Sequence, residues 1–171
     1  KSDMIIISDY AKGTINEDLM KFLEDFKKKI IINPKPKNTL LYKDVFLIIP
    51  NEKESKEMSG CYDFLNAGEK LKSMLNSKIL ITLGSKGMML FSEKNILIPT
   101  SSKEVYDVTG ASDSAVAAIS LALTSGATLE EAAIIGNQSA GISINKIGTY
   151  GVKIRELKNE ITGKNQKIKE V

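Results

Sequence analysis

Histidine and tryptophan are absent from the 171-residue chain, cysteine occurs once, as Cys61, and arginine once, as Arg155. Without histidine there is no Ser-His-Asp or Cys-His nucleophile and no histidine-ligated zinc or iron. A single cysteine makes neither an internal disulfide nor a thiolate metal cluster, in keeping with a reducing, cytoplasmic setting. A basic complement that is nearly all lysine offers few of the guanidinium forks that read guanine, and a formal charge of +3 gives no electrostatic case for nucleic acid. No apolar run approaches the roughly 20 residues that span a bilayer. The start of the chain also lacks the basic-then-apolar pattern of a signal peptide, so neither nucleic acid nor membrane is an expected partner.

What is present is the composition of a folded protein, with 42% hydrophobic and 26% charged residues. Chemistry is left to carboxylates, lysines, hydroxyls, backbone amides or a hard cation such as magnesium. Short apolar runs at residues 4–8, 30–32, 45–49 and 78–83 read as strands, the first of them buried on both faces. Helical spacing over residues 15–29 places Leu19, Phe22, Leu23 and Phe26 on one apolar face. Further helices are expected over 52–58, 63–75, 112–124, 129–147 and 154–160, with a hairpin at 88–91 and 96–99. Strands alternating with helices predict a mostly parallel α/β sheet, which binds ligands at the carboxyl ends of its strands. The lysine-rich end, 164–171, is expected to fray. Lys1 is not a start methionine and residues 4–7 enter a core strand abruptly, so the chain is expected to begin inside a larger domain.

The most specific segment is Asp107-Val108-Thr109-Gly110-Ala111-Ser112-Asp113-Ser114, followed directly by an apolar helix. Gly110 and Ala111 permit a tight turn, after which the amides from Gly110 to Asp113 lie at a helix N-terminus that favours an anion. A carboxylate at Asp113 is placed to take a proton from a hydroxyl beside that anion. By spacing alone, Ser112 or Asp113 serves equally well as a plain helix cap.

This segment resembles the D-x-T-G-A-G-D motif of the ribokinase-like, or PfkB, carbohydrate kinases. The resemblance implies that Asp113 is the catalytic base, that Gly110, Ala111 and Ser112 line an anion hole, and that Asp107 and Thr109 help hold a monovalent cation such as potassium. Ser112 replaces a motif glycine, and a positive φ there would strain it by about 1 kcal/mol or more. Asn51 and Glu54, directly after the strand that ends at Pro50, resemble the N-x-x-E motif that organises magnesium and its waters; taken alone, the pair reads more readily as a solvated helix start. Thr82, Gly84 and Gly87 resemble the T-x-G-x-x-G turn against ATP phosphates, and Asn137 and Gly141 resemble the segment lining the adenine site. Outside the resemblance, the former is a hairpin turn and the latter a close helix packing.

Ser8-Asp9-Tyr10-Ala11-Lys12-Gly13, Pro34-Lys35, Pro50 to Glu54 and Lys146-Ile147-Gly148-Thr149 narrow the resemblance to the kinase domain of the bacterial heptose-phosphate kinase/ADP-heptose synthase group. Asn33 stands where that group usually has aspartate, and Lys12 is implied to touch substrate. The resemblance covers nearly the whole chain but only the C-terminal half of the family's domain. It implies a single partial domain over 1–171, part of a three-layer α/β/α ribokinase-like sandwich. The implied activity is transfer of the γ-phosphoryl group of Mg-ATP to a phosphorylated sugar, best matched by a heptose 7-phosphate. It also implies a homodimer formed through a lid that belongs to the other half. The rival expectation is a non-catalytic nucleotide-binding remnant of such a kinase.

Overall fold

The computed structural model describes residues 2–100, 108–163 and 169–170. These group into two compact units, one within residues 1–82 and 90–94, the other within residues 83–89 and 95–171.

The first unit is a parallel sheet with helices. Strands β1 (Ile5–Ser8), β2 (Ile30–Asn33), β3 (Leu47–Ile48) and β4 (Lys78–Thr82) pair in chain order, with Ile5 beside Ile30, Ile31 beside Leu47 and Leu47 beside Lys78. Ile30, Ile31, Ile32, Leu47, Ile48, Ile79, Leu80 and Ile81 are fully buried, which is why these strands are continuous β-branched and leucine runs rather than alternating ones. β3 is shorter than the apolar run suggested. Its neighbours still bond to the sheet, Phe46 N–H to Ile30 O at 3.2 Å and Ile49 N–H to Ile32 O at 2.8 Å.

Two expectations fail here. The side chains of β1, first in order among the described strands, alternate between faces: Ile7 is buried while Ile6 is 46% exposed. The helix expected over 15–29 is broken into α1 (Glu17–Phe22) and a 3₁₀ segment, Glu24–Lys29. With three residues per turn instead of 3.6, the apolar stripe loses phase. Met20 is buried, whereas Phe22 and Phe26 of the expected face are exposed. The 3₁₀ turns of Pro36–Tyr42, kinked at Asn38, follow no helical or strand period and were not foreseen. They carry Tyr42, which is fully buried. Helices α2 (Glu52–Ser59) and α3 (Phe64–Leu75) form where expected, capped by Asn51 and Asp63.

In the second unit the 3₁₀ turn Gly84–Lys86 follows β4 along the chain. β5 (Met88–Phe91), whose residues divide between the units, and β6 (Asn95–Ile98) occupy the spans expected of a hairpin. Helices α4 (Ala111–Thr124) and α5 (Leu129–Ser143) pack tightly against each other, and α6 (Ile154–Gly163) packs on α5. Gly136 makes the α4–α5 approach possible, because a Cβ there would lie 2.5 Å from Ile119 Cγ1. Lys169–Glu170, inside the tail expected to fray, form strand β7, antiparallel to β6.

Candidate functional site

In the first unit the N-x-x-E residues are brought together by their own side chains. Asn51 caps α2, its Oδ1 accepting the Glu54 N–H at 2.8 Å, while Glu54 Oε2 accepts the Asn51 N–H at 3.0 Å. This reciprocal box orients both groups at the start of the helix. Thr82 ends β4 beside them: its N–H donates to Pro50 O at 3.0 Å and it sits in parallel register with Asn51. Glu54 is nearly buried, and its Oε1 is ion-paired with Lys35, whose side chain is 40% exposed.

Lys35 is in turn fixed by a buried network. Its N–H donates to Tyr42 Oη at 2.9 Å, and Tyr42 Oη donates to Asp9 Oδ2 at 2.6 Å. Asp9 also accepts from Asn38 Nδ2 and from the Ala11 N–H, each at 2.7 Å. Burial pushes the Asp9 carboxyl up, but the bonds from Tyr42, Asn38 and Ala11, with the Lys35 charge, outweigh it and hold the group below the ordinary carboxylate value. Burial, followed by the bond to Asp9, pushes the Tyr42 phenol well above its ordinary value. Lys12 is exposed and lines a shallow pocket with Ser8, Asp9, Tyr10, Thr14 and Ile15.

No cluster of three or more carboxylate, thiolate or imidazole groups exists among the described residues. One carboxylate and one amide do not make an all-protein cage for a divalent ion. They fit a magnesium that keeps its waters and is held mainly by phosphates. Each carboxylate oxygen has two acceptor positions, so Glu54 retains capacity toward water on a cation.

In the second unit the anion motif is built from backbone. Gly110 is the N-cap of α4, in the left-handed region at φ 77°, with no side-chain capping bond, so neither Ser112 nor Asp113 is the cap residue. Ser112 lies inside α4, and the strain foreseen for a side chain at that position does not arise. Ser114 N–H closes the first turn on Gly110 O at 2.9 Å, which leaves the amides ahead of it outside the helical ladder. The amide of Ala111, expected in the hole, donates instead to Val108 O at 3.2 Å. Asp113 is exposed in the first turn, and Thr109, also exposed, lies just before the cap. Asp107 lies outside the described residues.

Behind this turn stands Thr149, whose Cγ2 would be 3.5 Å from a Cβ on Gly110. The sequence placed Thr149 in a K-x-G-T stretch but gave it no role. Gly84 and Gly87 bracket their turn at φ 59° and 96°. Only Gly87 is hemmed in, since a Cβ there would collide with Ile98 O and come within 2.7 Å of Thr100 N. Asn137 is buried, donating Nδ2 to Pro99 O at 2.9 Å, and Gly141 is buried one turn further along α5. Lys35 is the residue that sequence reasoning missed. It lies in the Pro34-Lys35 pair, but nothing in spacing says that its ammonium meets a carboxylate 19 residues away.

Comparison with known proteins fixes the family. Residues 2–155 match the pfkB family carbohydrate kinases. The chain is 39% identical over 158 residues to the bifunctional protein HldE of Helicobacter hepaticus, covering 86% of this chain and 33% of that protein. It is 35% identical over 162 residues to HldE of Nitratiruptor, covering 91% and 35%. The chain thus spans about a third of the curated relatives it matches. Among solved structures, a ribokinase from Thermotoga maritima superposes with TM-score 0.82 at 26% identity, over 94% of this chain and 57% of that one. Phosphofructokinase-2 from Escherichia coli in complex with potassium gives TM-score 0.82 at 20% identity, over 94% and 56%, a likeness of fold. The fold is ribokinase-like α/β, and the chain belongs to the pfkB family of carbohydrate kinases.

Proposed function

We propose that this chain is the nucleotide-binding part of an ATP-dependent sugar kinase, acting in the cytoplasm on a phosphorylated sugar, a heptose 7-phosphate. The observation that carries the reading is the start of α4 in a pfkB-family chain: a glycine cap without a side-chain bond and a carboxylate in the exposed first turn. First-turn N–H groups and the helix dipole stabilise the charge on a transferring phosphoryl group. Asp113 takes the proton of the attacking hydroxyl, whose oxygen bonds to the γ-phosphorus as the bond from that phosphorus to the β–γ bridging oxygen breaks and ADP leaves with the electron pair. Asn51 and Glu54 hold the first turn of α2 against the waters of magnesium, which when bound neutralises phosphate charge. Thr82, Gly84 and Gly87 shape the turn for phosphates, Asn137 and Gly141 the adenine side, Thr109 and Asp107 a potassium site, and Lys12 takes the sugar. Such catalysis is positioning and electrostatics, which needs no histidine.

Support for the heptose comes from the Ser8–Gly13, Pro34-Lys35 and Lys146–Thr149 segments together with the relatives named HldE. Calorimetric titration of the chain with Mg-ATP, with and without potassium, tests the nucleotide half. Saturable binding that is lost in the Asn51→Ala/Glu54→Ala double variant supports the reading. A folded sample that does not bind Mg-ATP overturns it. Release of ADP on adding heptose 7-phosphate separates an enzyme from a nucleotide-binding remnant.

A further inference from the structure

We infer that Lys35 is a gate on the cation site: it occupies Glu54 until a polyphosphate draws it away, so that a divalent cation is accepted with nucleotide and refused without it. The inference rests on the reading of Asn51 and Glu54 given above.

Each oxygen of Glu54 keeps a spare acceptor position, but each already has a partner and one of those partners is charged. Oε2 accepts the Asn51 N–H at 3.0 Å, and Oε1 carries the Lys35 ammonium. A free divalent ion approaching this carboxylate meets a positive charge already seated on it. The seat is built rather than casual. Lys35 stands between Pro34 and Pro36, with extended backbone at φ −127° and ψ 137°, the region a following proline imposes. Its N–H is anchored on Tyr42 Oη, which is fixed by the buried Asp9. The main chain of Lys35 is therefore held while its side chain, 40% exposed, keeps freedom at the tip. Glu54, at 12% exposure, stays where it is. When a metal-bearing polyphosphate arrives, its negative oxygens compete with Glu54 for the ammonium. Lys35 moves to phosphate, and the released carboxylate lobe faces the hydrated cation.

The test uses manganese as a paramagnetic stand-in, read as free and bound ion by electron spin resonance, without nucleotide and then with ATP. Lys35→Met keeps the stem and removes the charge. It is expected to tighten nucleotide-free manganese binding by about tenfold or more, since removing a like charge a few ångströms away is worth at least that. The gain should vanish in Lys35→Met/Glu54→Gln, and Lys35→Arg should restore the weak binding of the unaltered chain. Manganese binding with ATP present should not improve in Lys35→Met. Tyr42→Phe leaves the charge but cuts the anchor, so a smaller gain in the same direction is expected. Circular dichroism establishes that each variant is folded. Equal manganese affinity in the unaltered chain and in both Lys35→Met and Tyr42→Phe overturns the gate, as does an equal gain with and without ATP. If Glu54→Gln leaves manganese binding with ATP unchanged, the cation role of Glu54 itself falls; if it weakens that binding while Lys35→Met alters nothing, only the gate falls.

Discussion

The two halves of the proposed chemistry are built from different materials. In the first unit the cation motif is side chain upon side chain: Asn51 on Glu54, Glu54 on Lys35, Lys35 on Tyr42, Tyr42 on Asp9. In the second unit the anion motif is backbone, set by the left-handed glycine cap Gly110 and the unladdered amides that follow it. A carboxylate close to a cation needs its own charge balanced before ligand arrives, which calls for partners. Amides carry no net charge and need only be pointed, which calls for φ and ψ. Substitutions should therefore hurt the first motif by unpairing groups and the second by bending the chain.

The largest expected effect separates chemistry from binding in the second unit. Asp113→Asn keeps the shape and hydrogen-bonding length of the side chain but cannot accept the hydroxyl proton. Turnover should fall by about 10²- to 10⁴-fold, the usual reach of a general base, while calorimetric ATP affinity changes little. Retained turnover would remove Asp113 from its role and leave the α4 amides as a binding device alone.

Next in size is a contrast between two glycines of the same unit. Gly87→Ala puts a methyl group against the Ile98 carbonyl, and at φ 96° and ψ −133° the backbone there is nearly closed to L-residues. A loss of about 3 kcal/mol or more in urea unfolding is expected. Gly110→Ala, at φ 77°, meets only ordinary contact with Thr149, so it should cost about 1 kcal/mol. If the two losses came out equal, steric closure at Gly87 would not be what that turn requires.

The difference between the units explains what the sequence could reveal. Buried strands and capped helices announce themselves through local pattern: Ile30-Ile31-Ile32, the Asn51–Glu54 box and the Gly110 turn all act within a few residues. The partnership of Lys35 with Glu54 and the seat of Tyr42 against Asp9 depend on which loops the parallel sheet brings side by side. No period encodes that. The 15–29 segment failed for a related reason. Its apolar spacing is helical, yet Phe46 N–H bonds to Lys27 O, and tertiary pairing at the mouth of β2 tightens the chain into 3₁₀ turns. Ser112 carries no strain because it lies inside the helix that its spacing predicted, and the left-handed position falls to Gly110.

Asn51→Ala should show the side-chain motif failing in two currencies at once. The cap bond to Glu54 N–H is lost, for about 1 kcal/mol of stability. Glu54 loses its reciprocal alignment as well, so Mg-ATP affinity should weaken by several-fold even at temperatures where the protein remains fully folded. Asn51→Asp retains the cap. If Mg-ATP binding survives in that variant but not in Asn51→Ala, orientation of Glu54 is what the residue supplies. If both lose binding, the amide itself is needed.

The smallest effect probes the far end of the same chain of contacts. Asp9 has a folded-state pKa below the ordinary carboxylate value of 3.8. As pH falls below that value the unfolded chain takes up a proton at this position before the folded one does. Stability from Asp9 is therefore present above the ordinary value and drains away as pH falls through the folded pKa. Asp9→Asn should be less stable at neutral pH, because the Tyr42 hydroxyl and the Asn38 and Ala11 N–H groups lose a charged acceptor, and its acid limb should be flatter. Asp44, Asp63, Glu131 and Glu156 also titrate low, each at the surface, and both proteins keep them. The difference between the two melting curves across pH thus isolates Asp9. A parallel offset at every pH would mean that Asp9 acts through shape alone, and that Lys35 is held by its two prolines without help from charge beneath Tyr42.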